Sequence, residues 1–285
     1  MTSTSSKKRK SIEHESKDNN HSRGTRRENG TRLLAEKYCS RKIGTWNIHS
    51  LQGKEKELNE EFMRRKWDIT GKTETKVKGR GTIELNEGNV LIYSGVDKVN
   101  KAIAGVGCII DKQIRAKLSK WQAWSERIMT VEFKVASKDW KTFIIVYAPN
   151  EDEKAEVKNL FWEELTLIME VCRGKVFVIG DFNGRVGRAD DVYGEVVGKH
   201  GEDIRNNNGR RLLEFSQLNN LIITNTFYSH KNIHKYTREV PSRNEKSIID
   251  YILVQRDNRR AIKDVKVRRG AKIGSSNHKR AQIGE

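Results

Sequence analysis

Carboxylate, amide and phenol side chains stand at the ends of four strand-like runs in this sequence. They belong to Trp46-Asn47, to Glu74, to Tyr147-Ala148-Pro149-Asn150 and to Gly180-Asp181-Phe182-Asn183. The end of a buried strand directs its side chains into a crevice, where ligands commonly bind. Carboxylate oxygens bind hard cations such as Mg²⁺, and a suitably oriented carboxylate can activate a water molecule. These four strand ends are therefore the first candidates for a functional site.

Taken singly, these residues also have ordinary structural explanations. Asn47 can cap a turn, and Asp181 together with Asn183 can form an Asx turn. Glu74 lies among lysines, so a solvent-facing ion pair of little energetic value would explain it. Tyr147 can be a core aromatic residue. The order in which all of them occur along the chain carries more information than any one of them.

Six short motifs follow one another along residues 42–280. They are Trp46-Asn47, Glu74-Thr75-Lys76, Tyr147-Ala148-Pro149-Asn150, Gly180-Asp181-Phe182-Asn183, Ile249-Asp250-Tyr251 and Ser276-Asn277-His278. In this order they resemble the endonuclease/exonuclease/phosphatase superfamily. The connecting residues 208–213 and 223–226 are similar, more narrowly, to the apurinic-endonuclease-like domain of RTE-type non-LTR retrotransposons and to craniofacial development protein 2-like proteins.

The resemblance implies Mg²⁺-dependent hydrolysis of a phosphodiester, with Mn²⁺ able to substitute for Mg²⁺. Glu74 would be the chief metal ligand, with Asn47 and Asn277 beside it. One or two acidic ligands suffice because Mg²⁺ retains several of its water molecules. The ion would neutralise charge on the phosphoryl oxygens while an activated water attacks.

The same resemblance assigns the catalytic and substrate-binding roles. Asp181 would orient or deprotonate the attacking water. Asn183 and Tyr147 would hydrogen-bond the non-bridging phosphate oxygens. His278, oriented by Asp250, would donate to the phosphate and stabilise developing charge. The residues implied to bind substrate are Asn150, Asn208 and Arg210.

The C-terminal end departs from the superfamily pattern. The last motif of the superfamily is Ser-Asp-His, whereas residue 277 here is Asn. Asn keeps an acceptor oxygen but lacks the negative charge that helps to bind a metal. The final stretch offers only Ala281 and Ile283 as apolar residues for a closing strand, so we expect a truncated or degraded strand and a poorly closed sheet. Lys72 is a further departure, since the superfamily fills this strand with apolar residues. We therefore expect reduced activity.

The elements that must position these residues are ten predicted strands and three predicted helices. The strands cover residues 42–47, 67–73, 90–93, 106–110, 129–135, 142–147, 176–180, 221–225, 247–254 and 265–267. The helices cover residues 54–66, 153–171 and 209–218, where apolar residues recur at helical spacing. Many strands with few helices predict an α/β fold, a two-sheet sandwich with helices on its outer faces. This single domain would span residues 42–285.

Residues 1–41 are polar and predict a disordered basic tail. They contain eleven basic and five acidic residues, a net charge of +6. Because the whole chain carries +18, the remaining residues carry +12, and the folded part is itself basic. Such a surplus favours polyanionic partners, and we expect DNA.

The location and the other partners are predicted from weaker signals. The cluster Lys7-Lys8-Arg9-Lys10 resembles a nuclear localisation signal, and the N-terminus contains no secretory signal, so we expect the nucleus or the cytosol. The three cysteines lie far apart, which supports neither a zinc site nor a disulfide framework. No apolar run is long enough to cross a membrane, and nothing in the sequence indicates a protein partner.

Two other functions remain open at this stage. One is a catalytically weak nucleic-acid-binding protein that retains the fold, which Asn277 and the C-terminal end favour. The other is a phosphatase of the same superfamily that acts on inositol lipids or another small phosphoester. The run Tyr147-Ala148-Pro149-Asn150 and the basic folded part favour a nucleic-acid backbone over a small ligand.

Overall fold

The computed structural model describes residues 41–99, 101–268 and 270, together with the backbone of residues 280–284. In these residues the strands are β1 Lys42–Asn47, β2 Ile69–Thr73, β3 Arg80–Glu84, β4 Val90–Ser94, β5 Val106–Ile110, β6 Leu118–Ala123, β7 Ile128–Lys134, β8 Trp140–Tyr147, β9 Lys175–Asp181, β10 Leu221–Ile223, β11 Arg238–Val240, β12 Glu245–Ser247, β13 Asp250–Gln255, β14 Asp264–Arg268 and β15 Arg280–Gly284. The α-helices are α1 Glu55–Arg65, α2 Lys112–Arg115, α3 Ala155–Val171 and α4 Asn207–Leu218.

Two large sheets are built around one parallel pair of strands each. The first sheet has the order β14-β15-β1-β2-β5-β4-β3, and the second has the order β10-β13-β9-β8-β7-β6. Strands β1 and β2 are parallel, as are β8 and β9, whereas the other pairs within the two sheets are antiparallel. Parallel neighbours end at the same edge of a sheet. Each sheet therefore brings two carboxyl-terminal strand ends together.

Apolar side chains fill the space between the sheets and below the helices. Ile43 and Ile69 of the first sheet share one cluster with Phe143, Phe177 and Ile179 of the second. Helices α3 and α4 cover the outer face of the second sheet, while α1 covers the outer face of the first. The predicted two-sheet sandwich with outer helices is confirmed. No helix in the described part of the chain combines the length and apolarity needed to cross a bilayer.

All ten predicted strands and all three predicted helices are present, with ends shifted by at most three residues. The sequence patterns did not predict β3, β6, α2 or the hairpin β11-β12. In β3 the residues alternate between exposed and half-buried, so the strand carries little apolar signal. The hairpin strands are three residues long, too short for periodicity to identify.

The C-terminal strand differs from the expectation of a truncated element. Arg280–Gly284 forms β15, which pairs with both β1 and β14 and so occupies an internal position of the first sheet. Backbone hydrogen bonds on both sides require five residues in extended conformation, whatever their hydrophobicity. The paucity of apolar side chains thus does not prevent the strand from forming.

Lys72 is accommodated inside the first sheet by two aromatic rings. Its side chain is fully buried in β2. The Nζ atom lies 4.9 Å from the centroid of the Trp46 ring and 5.3 Å from that of Trp67. The negative face of an indole attracts a cation, and this attraction strengthens away from water. A lysine can therefore occupy a strand that the resemblance would fill with apolar residues.

Gly180 generates the first prediction, because no other residue fits immediately before Asp181. Its φ is +157°, and an added Cβ would lie 1.9 Å from the Val146 carbonyl oxygen. We expect Gly180→Ala to lower the free energy of unfolding by roughly 2–6 kcal/mol, from backbone strain plus overpacking. Chemical denaturation of the parent and the variant measures this difference.

Gly53→Ala is the matched control. Gly53 also has a positive φ, +72°, but an added Cβ there would have no atom within 4 Å. This variant should lose only about 1–2 kcal/mol, the cost of the left-handed conformation. If both variants lose the same free energy of unfolding, the contact with the Val146 carbonyl does not contribute to the destabilisation.

Candidate active site

The ends of the two parallel strand pairs form the candidate site. Asn47 lies opposite Thr73 in the register of β1 and β2, so Glu74 follows directly beside it. In the second sheet Tyr147 lies opposite Asp181. Asp250 begins β13, which is antiparallel to β9, and lies opposite Asp181 on the other side. The topology thus brings together residues that are far apart in the sequence.

Asn47 joins the two sheets at this edge. Its Nδ2 donates to Glu74 Oε1 at 2.7 Å and to Asp181 Oδ2 at 2.9 Å. Its Oδ1 accepts from the backbone N–H of His49 at 3.2 Å. The amide nitrogen therefore faces both acids, and Asn47 acts here as a bridging donor. A role as metal ligand would require its oxygen to face them instead.

Glu74 is held as an ionised carboxylate by three neighbours. Besides the bond from Asn47, its Oε2 lies 2.9 Å from His49 Nδ1 and 3.2 Å from Lys76 Nζ. Burial alone would raise the pKa of Glu74. The hydrogen bonds from His49 and Asn47 and the charges of His49 and Lys76 outweigh burial and lower this pKa to about 2.

Asp181 and Asn183 form the tight turn that ends β9. The backbone N–H of Asn183 donates to Asp181 Oδ1 at 3.0 Å, and Asn183 Nδ2 donates to the Ala148 carbonyl at 2.9 Å. This is the Asx turn that the residue types allow. The turn leaves the fully buried Asp181 carboxylate directed toward Asn47 and fixes the β8 and β9 ends relative to each other.

Tyr147 is a neutral hydrogen-bond donor at this edge. Burial, followed by the charges of Glu74 and Asp181, raises the pKa of Tyr147 above its usual range. The phenol consequently keeps its proton at neutral pH. The Arg127 guanidinium lies 5.4 Å from the centre of the Tyr147 ring and also donates to the Tyr147 carbonyl at 3.3 Å.

Asp250 is fully buried beside Asp181. Its backbone N–H donates to Thr237 Oγ1 at 3.2 Å, and its carbonyl accepts from Asn225 Nδ2 at 3.2 Å. Two flanking loops therefore fix the start of β13. His278 and Asn277, predicted to complete the site, lie outside the described residues, so their roles stay predictions.

The three residues predicted to bind substrate have different environments. Asn208 is buried, and its Nδ2 donates to the Pro149 carbonyl at 2.9 Å and to the Asn183 carbonyl at 3.2 Å. It supports the loops that carry the site. Asn150 and Arg210 are exposed, the latter on α4.

Four of the eight non-glycine residues with positive φ in the described part of the chain lie at the candidate site. The non-glycine residues with positive φ include His49 at 58°, Glu74 at 51°, Lys76 at 51° and Asn183 at 47°. This conformation costs on the order of 1–3 kcal/mol per residue and persists where the surroundings enforce it, commonly at functional sites. Neither His49 nor Lys76 was assigned a role from the sequence. Their positions could have identified them, because His49 lies two residues after Asn47 and Lys76 lies two residues after Glu74.

The residues present suit a hard divalent cation better than a soft one. No group of three or more His, Cys, Asp and Glu side chains converges among the residues that the structure describes. One ionised carboxylate, Glu74, is accessible at the edge, with the Asp181 carboxylate bridged to it. Such a set fits an ion that completes its coordination with water and substrate oxygens. A structural zinc site would need four protein ligands.

In sequence, the chain is similar to craniofacial development protein 2. It is 33% identical over 253 residues to the Bos taurus protein, a match that covers 87% of this chain and 41% of that protein. It is 32% identical over 253 residues to the Tragulus javanicus protein, which covers 87% of this chain and 42% of that one. The chain thus spans about two fifths of the length of these relatives. No family model matches the chain.

In structure, the chain is similar to solved proteins that include an exonuclease and an endonuclease domain. A 3′-5′ exonuclease from Neisseria meningitidis has a TM-score of 0.61 at 20% identity, covering 85% of this chain and 98% of that chain. The catalytic domain of Xenopus laevis APE2 has a TM-score of 0.64 at 17% identity, covering 85% and 90%. The endonuclease domain of the telomere-specific non-LTR retrotransposon TRAS1 has a TM-score of 0.55 at 14% identity, covering 86% and 97%.

A variant of the Neisseria protein has also been solved, described as a 3′ phosphatase bound to a product DNA hairpin. These similarities confirm that the chain has the endonuclease/exonuclease/phosphatase fold that the order of its motifs predicted.

The Glu74 contacts give a prediction about acid stability. Because the pKa is about 2 in the folded chain and 4.5 ordinarily, Glu74 stabilises the fold above pH 4.5. This contribution is lost as the pH falls from about 4.5 to about 2. We expect the free energy of unfolding of the parent to decline more steeply over this window than that of Glu74→Gln, as measured by denaturant titration at several pH values.

His49→Ala tests the cause of the shift. Loss of the His49 hydrogen bond, the largest effect that lowers this pKa, should raise the pKa of Glu74 toward 4.5 in a carboxyl NMR titration. His230→Ala is the control, because it removes another histidine–carboxylate pair, with Asp264. If His49→Ala leaves the Glu74 titration where the parent has it, His49 does not stabilise the carboxylate.

Proposed function

We propose that this chain is a metal-dependent phosphodiesterase that nicks DNA, with Mg²⁺ as its ion and Mn²⁺ as a substitute. The observation that carries the proposal is the meeting of Glu74 and Asp181 across Asn47 at the end of both sheets. Two acids joined in this way can serve two roles, one toward a cation and one toward a water molecule. The fold shared with nucleases and phosphodiesterases supports a hydrolase of this kind.

Glu74 is the residue best suited to hold the metal. It is ionised down to about pH 2 and is partly accessible at the edge of the sandwich. His49 and Lys76 bind the same oxygen, Oε2, so they would have to yield or rearrange when an ion binds there. When bound, the ion would neutralise charge on the phosphoryl oxygens and on the leaving oxygen.

Asp181 is the residue best suited to act on water. Its Oδ2 accepts from Asn47 and its Oδ1 from the Asn183 backbone, which fixes both oxygens in orientation. A carboxylate fixed in this way can align a water molecule and accept its proton. Tyr147, which stays protonated, can donate to a non-bridging phosphate oxygen, and Arg127 beside it adds positive charge.

DNA is the substrate that the charge of the chain favours. Residues 42–285 carry a net charge of +12, which attracts a polyanionic backbone. The Neisseria relative in fold is described with a DNA hairpin as product, and that description supports the same class of substrate here. The basic cluster Lys7-Lys8-Arg9-Lys10 supports a nuclear location.

A catalytically weak DNA-binding protein is the second candidate. Asn277 favours it, because the superfamily has Asp at this position and the amide has no charge to offer a metal. The two candidates share the fold and the basic charge. They differ only in turnover, which an assay with and without metal separates.

A supercoiled plasmid tests the nuclease directly. The parent should convert it to the nicked circle in Mg²⁺ and not in EDTA, leaving a 3′-hydroxyl. Asp181→Asn should lower the initial rate by about 10²- to 10⁴-fold, because the amide cannot accept the proton of the water. Asp257→Asn is the control, since Asp257 is exposed and follows the opposite end of β13. If Asp181→Asn nicks as fast as the parent, the role assigned to Asp181 is wrong.

Reversion of Asn277 tests whether this residue limits the rate. Asn277→Asp should raise the nicking rate, because one charge-assisted contact in such a site is worth about 10²–10³ in rate. Initial rates of the parent and the variant across a Mg²⁺ titration measure the effect. An unchanged rate in a variant with the thermal melt of the parent would place the limiting defect elsewhere.

A further inference from the structure

A cleft of about 640 Å³ opens at the end of β4, and its lining includes polar residues and one tryptophan. Ser94 of this lining lies opposite Val106, which lies opposite Thr73, so the cleft is two strands away from Glu74 at the same end of the first sheet. Its lining includes Arg80, Ser94, Asp97, Lys98, Trp124 and Glu126. The volume falls in the range of pockets that hold a small organic ligand, roughly 300–1,000 Å³. A single nucleotide unit is of this size class.

Each wall of the cleft is connected along the chain to a residue at the site. One wall contains Arg80, in the segment that follows Glu74, and the hydrogen bonds of Gly79 with Val96 and Gly95 close this wall against the β4 end. The other wall is the β6–β7 turn, which ends at Arg127, and the guanidinium of Arg127 lies over the Tyr147 ring. A strand of nucleic acid cleaved at Glu74 would thus enter the cleft close to the point of cleavage.

Trp124 presents an immobilised aromatic ring to this cleft. Its indole Nε1 donates to Thr130 Oγ1 at 3.1 Å, and its backbone N–H donates to the Ile128 carbonyl at 3.1 Å. The residue is nevertheless 38% exposed. An exposed indole that is already fixed loses little rotamer entropy when a flat ligand stacks on it.

The charged residues of the lining cancel one another, and the positive charge nearby lies on the side of the cleft toward the site. Asp97 and Glu126 balance Arg80 and Lys98 within the lining, so charge alone does not provide affinity there. Lys78 contacts one lining residue, since its Nζ donates to the Lys98 carbonyl at 2.9 Å. Toward the site, Lys76 and Arg127 add further positive charge.

We propose that this Trp124 cleft binds an unpaired nucleotide of the strand that the site cleaves. The inference rests on the proposed nuclease function and specifies its substrate as DNA with a single-stranded segment beside the scissile phosphate. A base can stack on Trp124 only when its own face is free, and bases inside a duplex are covered by their neighbours. Such stacking is sequence-tolerant, since every base has an aromatic face.

Binding to labelled oligonucleotides in EDTA tests the cleft without turnover. Trp124→Ala should weaken the affinity for single-stranded DNA by about 5- to 150-fold, the equivalent of one stacking contact. Affinity for a blunt duplex of equal length should change by less than about twofold, and Trp124→Phe should retain most of the single-strand affinity. Fluorescence anisotropy at fixed salt measures all three.

Trp140→Ala is the matched control, because Trp140 is a half-buried tryptophan at the opposite end of β8 from Tyr147. Equal single-strand affinity of Trp124→Ala and the parent would overturn the assignment of the cleft. So would equal losses in Trp124→Ala and Trp140→Ala. Failure of the parent to nick plasmid in Mg²⁺ would instead overturn the nuclease itself, so the two failures are distinguishable.

Discussion

The meeting of two acid side chains across one amide is the contact on which the rest of the site depends. A buried carboxylate without hydrogen bonds costs several kcal/mol, so Glu74 and Asp181 each need a donor where the sheets meet. The amide nitrogen of Asn47 carries two hydrogens and serves both. Because Glu74 follows β2 and Asp181 ends β9, this amide also fixes how the edges of the two sheets align. A shift of either strand by one residue would direct these side chains away from the site.

The strained segment at Glu74 follows from the same requirement. The carboxylate receives a hydrogen bond from His49 and an ion pair from Lys76, and all three residues have positive φ. These contacts offset a backbone cost that the local preferences of Glu and Lys would not meet. They also keep the carboxylate ionised in the absence of a metal. Because His49 and Lys76 both contact Oε2, an ion that binds this oxygen would have to displace them.

Local periodicity predicted the main strands and helices, and the order of the motifs predicted the fold and the candidate site residues. Strands β1 and β5 have the predicted bounds, and the apolar run of β5 lies between Gly105 and Asp111, two residue types that commonly end strands. Asn47 and Asp181, 134 positions apart, were each candidates as strand ends, and the resemblance assigned them to one site, since no local pattern encodes a contact at that separation. The interactions of His49 and the supporting role of Asn208 were not predicted, because both depend on how loops pack in three dimensions. The type of a residue alone does not show whether its side chain binds the substrate or supports a neighbouring loop.

The acids at the centre of the site create a difficulty for the very substrate that the chain's charge attracts. A phosphodiester brought toward Glu74 and Asp181 is repelled by them, and at close range this outweighs the attraction of distant surface charge, which salt screens within about 8–10 Å. Positive charge must therefore lie within the site itself. His49 and Lys76 contact Glu74, and Arg127 covers Tyr147, so positive charge lies close to the acids. These groups are already engaged with the protein before a phosphate arrives. A divalent cation would add positive charge of its own, and this is the physical reason to expect such an ion at Glu74.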